Sequence, residues 1–497
     1  MKKYLMAIDA GTGSVRAVLF DVEGNQIGCS QHEWTHNEDP RFPGSMDFDW
    51  TFNWKLASSC VRNVLAETGI DPADIAAIST TCMREGILLY DQDGNEIWAC
   101  ANVDARSTDE VAELIRMDPD LELALYQKSG QSYALNAIPR ILWVKNNLPE
   151  IYEKTAKVGM FNDWLIYKLT GVLAVEPSNG STTGLLDLQT RTWDTDIAAK
   201  CHLRTDIFPD VLECGSIAGA VTAKGAAETG LAEGTPVVVG GGDCQLGTIG
   251  VGACKPGEAA VFGGSFWQYE FNTDSGKTDP YGRVRVNCHA VPGVWQYEAL
   301  AFKPGLVMRW FRDGFCQEEK RKAKEIGDDP YNLMNREAEK IPAGCYGMMC
   351  CFSDVMNFIN WKHAAPTFTN FELLPEKFNK YTFYRSILEN TAMLVKGHIE
   401  LVKEATGNEP DKLIFAGGAS VSDLWSQILA DVTGKTVVTP VVKEATALGA
   451  AILAGYGVGI YPSIAEGAAR CAKVDKTFTP NLENKKIYDE MYPVWRE

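Results

Sequence analysis

The sequence predicts a mixed α/β protein built as two α/β domains. Three observations carry that reading. The chain opens on β-prone runs separated by tight turns, then passes into a helical stretch and further buried strands. Three apolar strands, at 236–240, 259–262 and 413–416, each run into a cluster of glycines. The same chemistry thus recurs in both halves without a repeat of fixed period, which puts a boundary near 244–258. Finally, 497 residues suit two large domains, or about three average ones.

The elements follow in order. Residues 4–9 (Tyr-Leu-Met-Ala-Ile-Asp) are β-prone, 10–14 (Ala-Gly-Thr-Gly-Ser) turn, and 15–21 are β-prone again. Glu23-Gly-Asn25 turns the chain into a third strand at 26–33, so consecutive hairpins make an antiparallel meander. Residues 50–67 read as a helix, and 75–81 and 86–90 as strands. The charge run 318–324 reads as one solvated helix face. After Gly417-Gly418 a helix runs from about 422 to 433.

Composition narrows the function. Hydrophobic residues make up 45% and charged residues 23%, a soluble globular balance. Lys+Arg 47 against Asp+Glu 65 leaves a net charge of −18, unsuited to gripping nucleic acid or anionic lipid through the overall field. A local basic pocket for a small anion is compatible with it. No apolar run approaches the roughly 20 residues of a membrane helix. Met1-Lys2-Lys3-Tyr4 leads straight into a strand, with no signal peptide. The 14 Cys show no CxxC and no regular framework, which reads as reduced thiols in a cytoplasmic protein.

Six constellations carry chemistry. Asp9-Ala-Gly-Thr-Gly-Ser14-Val-Arg16 removes side chains from a strand-to-strand turn, so that backbone N–H groups can approach a phosphate; Asp9 can hold hydrated Mg²⁺. A plain hairpin turn also satisfies Gly-Thr-Gly. Gly240-Gly-Gly-Asp243 places a carboxylate just past a buried strand, where α/β sheets present ligands. Asp243 is a candidate general base or the cap of the next helix, and the two roles can coexist. Gly263-Gly264-Ser265 and Gly417-Gly-Ala-Ser420 can each bring amides to an anion or a flat base. Arg84-Glu85, between two strands, can donate to and accept from polyol hydroxyls, or form an ordinary surface ion pair. Asp104 and Arg106 form a similar cluster.

Other chemistries find no support. His32-Glu-Trp-Thr-His36 matches the HExxH zinc pattern, which needs a helix to converge both imidazoles. Here it continues a strand, whose geometry separates the two His by about 13 Å. A GxSxG elbow, a Walker A loop and the protein-kinase HRD and DFG signatures are absent from the sequence.

Asp9-Ala-Gly-Thr-Gly-Ser-Val-Arg16, Gly241-Gly-Asp243 and Gly417-Gly418, in this order, resemble the FGGY carbohydrate kinase family, and the resemblance covers essentially the whole chain. Phe161-Asn-Asp-Trp-Leu-Ile-Tyr-Lys-Leu-Thr-Gly171, with 181–188 after it, is typical of the family's first domain. The resemblance implies an actin-like ATPase (ribonuclease H-like) fold of two domains with a central cleft for ATP. Residues 1–250 would bind substrate and Mg-phosphate, and 251–497 the nucleotide. Six further runs are similar to one branch of the family: Pro43-Gly-Ser-Met-Asp47, residues 97–106, Arg309-Trp-Phe-Arg-Asp313, His363-Ala-Ala-Pro366, residues 424–431 and residues 440–449. Members of that branch phosphorylate the terminal hydroxyl of 4,5-dihydroxypentane-2,3-dione, a quorum-sensing signal molecule.

The chain also departs from the family. Arg140 stands where a Lys is usual, two residues before Leu142-Trp143, and Glu389-Asn390 replaces Glu-Gly. Glycerol kinases carry a substrate-contacting Tyr near Leu135 and a Gln at Cys244, so these positions argue against glycerol.

The resemblance assigns roles residue by residue. Asp243 is the general base, and Asp9 holds Mg²⁺ through water. Thr12, Gly13, Ser14, Gly264 and Ser265 hold the phosphates of ATP. Gly417, Gly418 and Ala419 line the adenine pocket. Arg84, Glu85 and Asp104 meet substrate hydroxyls and carbonyls, with Phe266 as an apolar wall. Regulation by a phosphotransferase-system protein is compatible with the resemblance. The roles of Arg16 and Cys244, the metal preference and the oligomeric state stay open. The rival readings are another FGGY kinase, acting on xylulose, ribulose or a related polyol, and an actin- or chaperone-like ATPase.

Overall fold

The hairpin signals at the N-terminus become β1 (Tyr4–Ala10), β2 (Ser14–Asp21) and β3 (Gln26–Glu33), paired antiparallel in sequence order. The structure, a computed structural model, describes residues 3–361 and 364–497; Met1, Lys2 and His363 of the motifs above fall outside the described residues. In chain order the elements that position the site begin with α1 (Trp50–Thr68), β4 (Ile75–Cys82), β5 (Ile87–Tyr90), β6 (Glu96–Cys100), α2 (Ala137–Asn147), β7 (Lys157–Met160) and α3 (Phe161–Thr170). Then come β8 (Ile217–Ala220), β9 (Pro236–Gly242), α4 (Asp243–Gly250), β10 (Ala259–Gly263), β11 (Trp267–Thr273), β12 (Arg285–Cys288) and β13 (Trp295–Ala301). The last group is α5 (Pro304–Phe315), α6 (Gln317–Ile326), α7 (Pro330–Ala338), α8 (Lys380–Thr406), β14 (Lys412–Ala416), α9 (Asp423–Thr433), β15 (Thr436–Pro440), α10 (Ala445–Gly457) and β16 (Val474–Phe478).

The chain divides into two compact units. The first comprises Met1–Pro256, Asn272–Gln296 and Glu444–Lys473; the second comprises Gly257–Phe271, Tyr297–Lys443 and Val474–Glu497. The first unit runs unbroken to Pro256, and two later segments, 272–296 and 444–473, return to it. The reasons are local. Val286 donates its N–H to Gly130 O at 3.3 Å, which fastens β12 to the first unit. Helix α10 crosses α4 at two glycines. A Cβ on Gly250 would lie 1.8 Å from Ala445 O, and one on Gly449 would lie 1.9 Å from Leu246 O, so no side chain fits at either place.

The sheet of the first unit has the order β8-β9-β4-β1-β2-β3. Strands β9, β4 and β1 run parallel, and Cys82 is level with both Ala10 and Gly242. The carboxyl ends of three parallel strands therefore share one edge, the edge where open α/β sheets carry ligands. The core beneath is apolar and aromatic, with Met6, Ile8, Phe48, Trp164 and Val237 all buried.

In the second unit the strands follow the order β13-β11-β10-β14-β15-β16. Strands β10, β14 and β15 are parallel, so Gly263 and Ala416 also end at one edge. The charge run lies on α6, which is exposed except at Glu319 and Ala323. Glu319 is drawn inward by Lys380 at 2.6 Å and Tyr381 Oη at 2.5 Å, where the sequence suggested only a solvated face. Among the described residues no helix is long and apolar enough to cross a membrane.

Candidate active site

In the first unit the site grows from the shared strand edge. Asp9, the last residue but one of β1, is 2% exposed and faces Arg16 across the hairpin. Arg16 Nε donates to Asp9 Oδ2 at 2.9 Å, and Arg16 also pairs with Glu444. Burial pushes the Asp9 carboxyl up to about 6, against the pull of Arg16 and with a further push from the Asp243 charge. Arg16 thus orients Asp9, an assignment the sequence left open. Asp9 Oδ1 makes no hydrogen bond among the described residues. One directed carboxylate with an uncommitted oxygen suits Mg²⁺, which takes few carboxylates and keeps its waters.

The Gly-Thr-Gly turn is braced from behind. Trp34 Nε1 donates to Gly11 O at 3.0 Å and Thr12 O at 3.2 Å, and the Trp34 N–H donates to Gly13 O at 3.1 Å. His36 Nε2 donates to Thr12 O at 2.7 Å, so His36 of the HExxH-like run supports this turn. Its partner in that run, His32, lies within hydrogen-bond distance of Asn63 at 3.5 Å. Asn102 Nδ2 donates to Thr12 Oγ1 at 3.0 Å, which leaves the hydroxyl proton for another acceptor. Thr12 and Gly13 are exposed and Ser14 opens β2.

Asp243 follows β9 and begins α4. Its Oδ1 accepts the Cys244 N–H at 2.8 Å and lies 3.4 Å from Arg84 Nε. The capping role considered from the sequence falls away: Gly242 holds the cap position, no side chain caps α4, and Asp243 is its first residue. Arg84 is buried while the Asp243 side chain is 38% exposed. Cys244 is buried in α4. Glu85 adopts a left-handed backbone (φ 66°), rare for a residue with a side chain. Its carboxylate accepts from Arg285 Nη2 at 2.7 Å, and its carbonyl accepts from Arg140.

The structure departs from the sequence expectation at Asp104. Its carboxylate has no exposed surface and accepts from Arg106 Nε at 2.8 Å, the Met46 N–H at 2.6 Å and the Arg106 N–H at 3.2 Å. With both oxygens committed, Asp104 anchors Arg106 and the 44–46 loop and does not face a ligand.

In the second unit a pocket of about 480 Å³ opens at the β10–β14 edge. Gly264, Ser265, Gly418 and Ala419 line it, as the motifs suggest. Gly417 lies beneath at φ 89°, and a Cβ there would stand 2.7 Å from Gly263 O. Phe266, next in the same loop, is 51% exposed and packs edge-on against Phe302 at 5.6 Å. Sequence reasoning missed the opposite wall: Met308 and Arg312 of α5, Tyr331 and Asn335 of α7, and Trp425 of α9. Arg312 lies 5.2 Å from the Tyr331 ring centroid, and Asn335 is fixed by Tyr384 Oη at 2.8 Å and Ser422 Oγ at 3.0 Å. The only signal was that Arg312 and Trp425 sit in two of the branch-like runs, which said nothing of a pocket. We expect Gly417→Ala to lower stability by about 1–3 kcal/mol, the cost of a side chain in this conformation. It should raise the KM for ATP severalfold and leave the acceptor KM unchanged. Thermal denaturation and ATP titration check this; a variant with unaltered Tm and KM refutes it.

The pattern of the FGGY N-terminal domain matches residues 4–250, and that of the C-terminal domain residues 273–458. The chain belongs to the FGGY family of carbohydrate kinases. An autoinducer-2 kinase of Salmonella typhimurium is 50% identical over 494 residues, 99% of this chain and 93% of the relative. The xylulose kinase from Rhodospirillum rubrum has the same fold, with a TM-score of 0.88 at 24% identity over 99% of this chain and 97% of that one. So does the Plasmodium falciparum glycerol kinase solved with ADP, with a TM-score of 0.85 at 20% identity over 99% and 97%. This FGGY kinase therefore has the actin-like ATPase fold expected from its motifs.

Proposed function

We propose that this FGGY kinase transfers the γ-phosphoryl group of ATP to the terminal hydroxyl of 4,5-dihydroxypentane-2,3-dione, the autoinducer-2 signal, in the cytoplasm. The substrate rests on one observation: half of all positions are identical to an autoinducer-2 kinase across nearly the whole chain. Asp243 accepts the hydroxyl proton as the oxygen attacks γ-phosphorus in line. An O–P bond forms, the bond to the β-phosphate oxygen breaks, and ADP leaves. The half-exposed carboxylate beside buried Arg84, at the ends of parallel strands, supports that role.

Arg84 and Glu85 hold the acceptor's hydroxyls and carbonyls. In the first unit, Thr12, Gly13 and Ser14 offer donors to phosphate oxygens; in the second, taken by itself, Gly264 and Ser265 line the pocket and offer donors of the same kind. The second unit's pocket takes the adenosine end against Gly417, Gly418 and Ala419. Asp9 would hold Mg²⁺, and the ion would supply neutralisation of charge on the phosphates. Phosphoryl transfer asks little covalent chemistry of the protein, so positioning and charge neutralisation supply most of the remaining rate.

The test is ATP consumption with the dione, xylulose, ribulose and glycerol as acceptors. We expect kcat/KM for the dione to exceed the others by at least about 10²-fold, since a site built to hydrogen-bond a substrate rejects analogues that leave its polar groups unpaired. Turnover of xylulose without turnover of the dione reverses the assignment. ATP hydrolysis that no acceptor accelerates returns the chain to the non-metabolic ATPases of its fold.

A further inference from the structure

Two arginines from distant parts of the first unit converge on Glu85. Arg140 of α2 takes its carbonyl, together with Asn102 O at 2.8 Å and Asp104 O at 3.3 Å. Arg285 of β12 takes its carboxylate, with Nη2 2.7 Å from Glu85 Oε1. Behind it, Arg285 Nε donates to Gln131 Oε1 at 2.8 Å. Gln131 Nε2 in turn donates to Asn287 Oδ1 and Val286 O, both at 3.0 Å. Arg285, Gln131 and Asn287 are 0–1% exposed, whereas the Glu85 side chain is 14% exposed. The chain of hydrogen bonds is therefore a buried strut that ends on the partly exposed Glu85 carboxylate.

Three features separate this strut from ordinary core packing. A fully buried guanidinium is costly to desolvate, and apolar packing of the same volume would be as stable. The arginine fork is used as a fork: Nε and Nη2 reach different partners, which a lysine cannot reproduce. The strut also ends on a residue in a sparsely populated backbone conformation, next in sequence to the arginine that pairs with Asp243. Such strain persists where the surroundings over-determine a functional geometry.

We propose that Arg285 is a positioning residue for acceptor recognition: it fixes the direction of the Glu85 carboxylate toward an acceptor hydroxyl, and Gln131 fixes Arg285. The proposal rests on the reading of Glu85 as an acceptor contact. It touches neither nucleotide nor the transferred group, so its signature is selective.

The experiment is steady-state kinetics with ATP and 4,5-dihydroxypentane-2,3-dione on the full chain, for Glu85→Gln, Arg285→Met, the Glu85→Gln/Arg285→Met double variant and Gln131→Ala. Arg285→Met should raise the acceptor KM at least tenfold, with the ATP KM within twofold and kcat within threefold. In the Glu85→Gln background the same change should add less than twofold, because a residue acting through Glu85 has nothing left to act on. Gln131→Ala, which keeps the ion pair and cuts the support behind it, should raise the acceptor KM at least threefold and serves if Arg285→Met does not fold. The proposal is overturned if Arg285→Met or, in its place, Gln131→Ala leaves the acceptor KM within twofold, or if the Arg285→Met and Glu85→Gln effects multiply. Should Glu85→Gln itself keep the wild-type acceptor KM, the reading of Glu85 as a contact fails, an outcome distinct from failure of the strut.

Discussion

Replacing Asp243 by Asn is expected to lower kcat by about 10³-fold while leaving nucleotide affinity within twofold. General-base assistance is typically worth 10²–10⁴-fold, and an amide of the same shape cannot accept a proton. The rest of the residue's work survives the change. Asn can still accept the Cys244 N–H that Asp243 Oδ1 takes at 2.8 Å, so the start of α4 is kept. The side chain is 38% exposed, so its loss of charge leaves no unpaired group deep in the core on its own side. Arg84, buried opposite, loses a charged partner at 3.4 Å, and a fall of a few degrees in Tm is the expected trace of that. The decisive measurement pairs single-turnover transfer with equilibrium nucleotide binding on the same preparation. A variant that binds ATP as the parent does and retains more than a tenth of its turnover removes Asp243 from the base role.

Much of this architecture is legible in the sequence because its signals are local. Gly11 and Gly13 between two β-prone runs fix the hairpin, and β1, β2 and β3 lie within a residue of their expected places. The helix at 422–433 and the strands that end in glycines follow for the same reason: turn chemistry and apolar runs are short-range. What escapes is decided by distant partners. Nothing in residues 285–288 or 445–457 tells that they pack with the first unit, since the crossing of Gly250 and Gly449 exists only in the fold. Asp104 looks like a ligand contact in sequence and proves to be an ion-pair anchor, because its partner Arg106 lies two residues on and the Met46 amide 58 residues back. Arg285 carries no motif, and its importance lies in reaching Glu85 across 200 residues of chain. Site residues that present backbone are thus readable from glycine spacing, whereas those that orient other side chains are not.

Asp9→Asn should abolish most metal-dependent turnover and yet stabilise the metal-free protein at pH 8. Burial raises the Asp9 carboxyl from its ordinary value of 3.8 to about 6, with Arg16 opposing and Asp243 and Glu444 adding to the rise. Between those two values the folded state holds a proton that the unfolded state has lost. Stability therefore falls as pH rises through that window, and above about 6 the ionised carboxylate carries the full penalty, ~2–3 kcal/mol. Below about 4 both states are protonated and the penalty vanishes. An Asn at position 9 does not titrate, and its amide oxygen can still accept from Arg16, which keeps Glu444 as an ionic partner. In EDTA the variant's Tm should exceed the parent's by several degrees at pH 8 and match it near pH 4. Saturating Mg-ATP should reverse the order at pH 8, because a ligand that needs the carboxylate stabilises only the parent. A lower Tm for the variant at pH 8 in EDTA would mean that Asp9 is a structural partner of Arg16, and that its burial is not strain held in readiness for a cation.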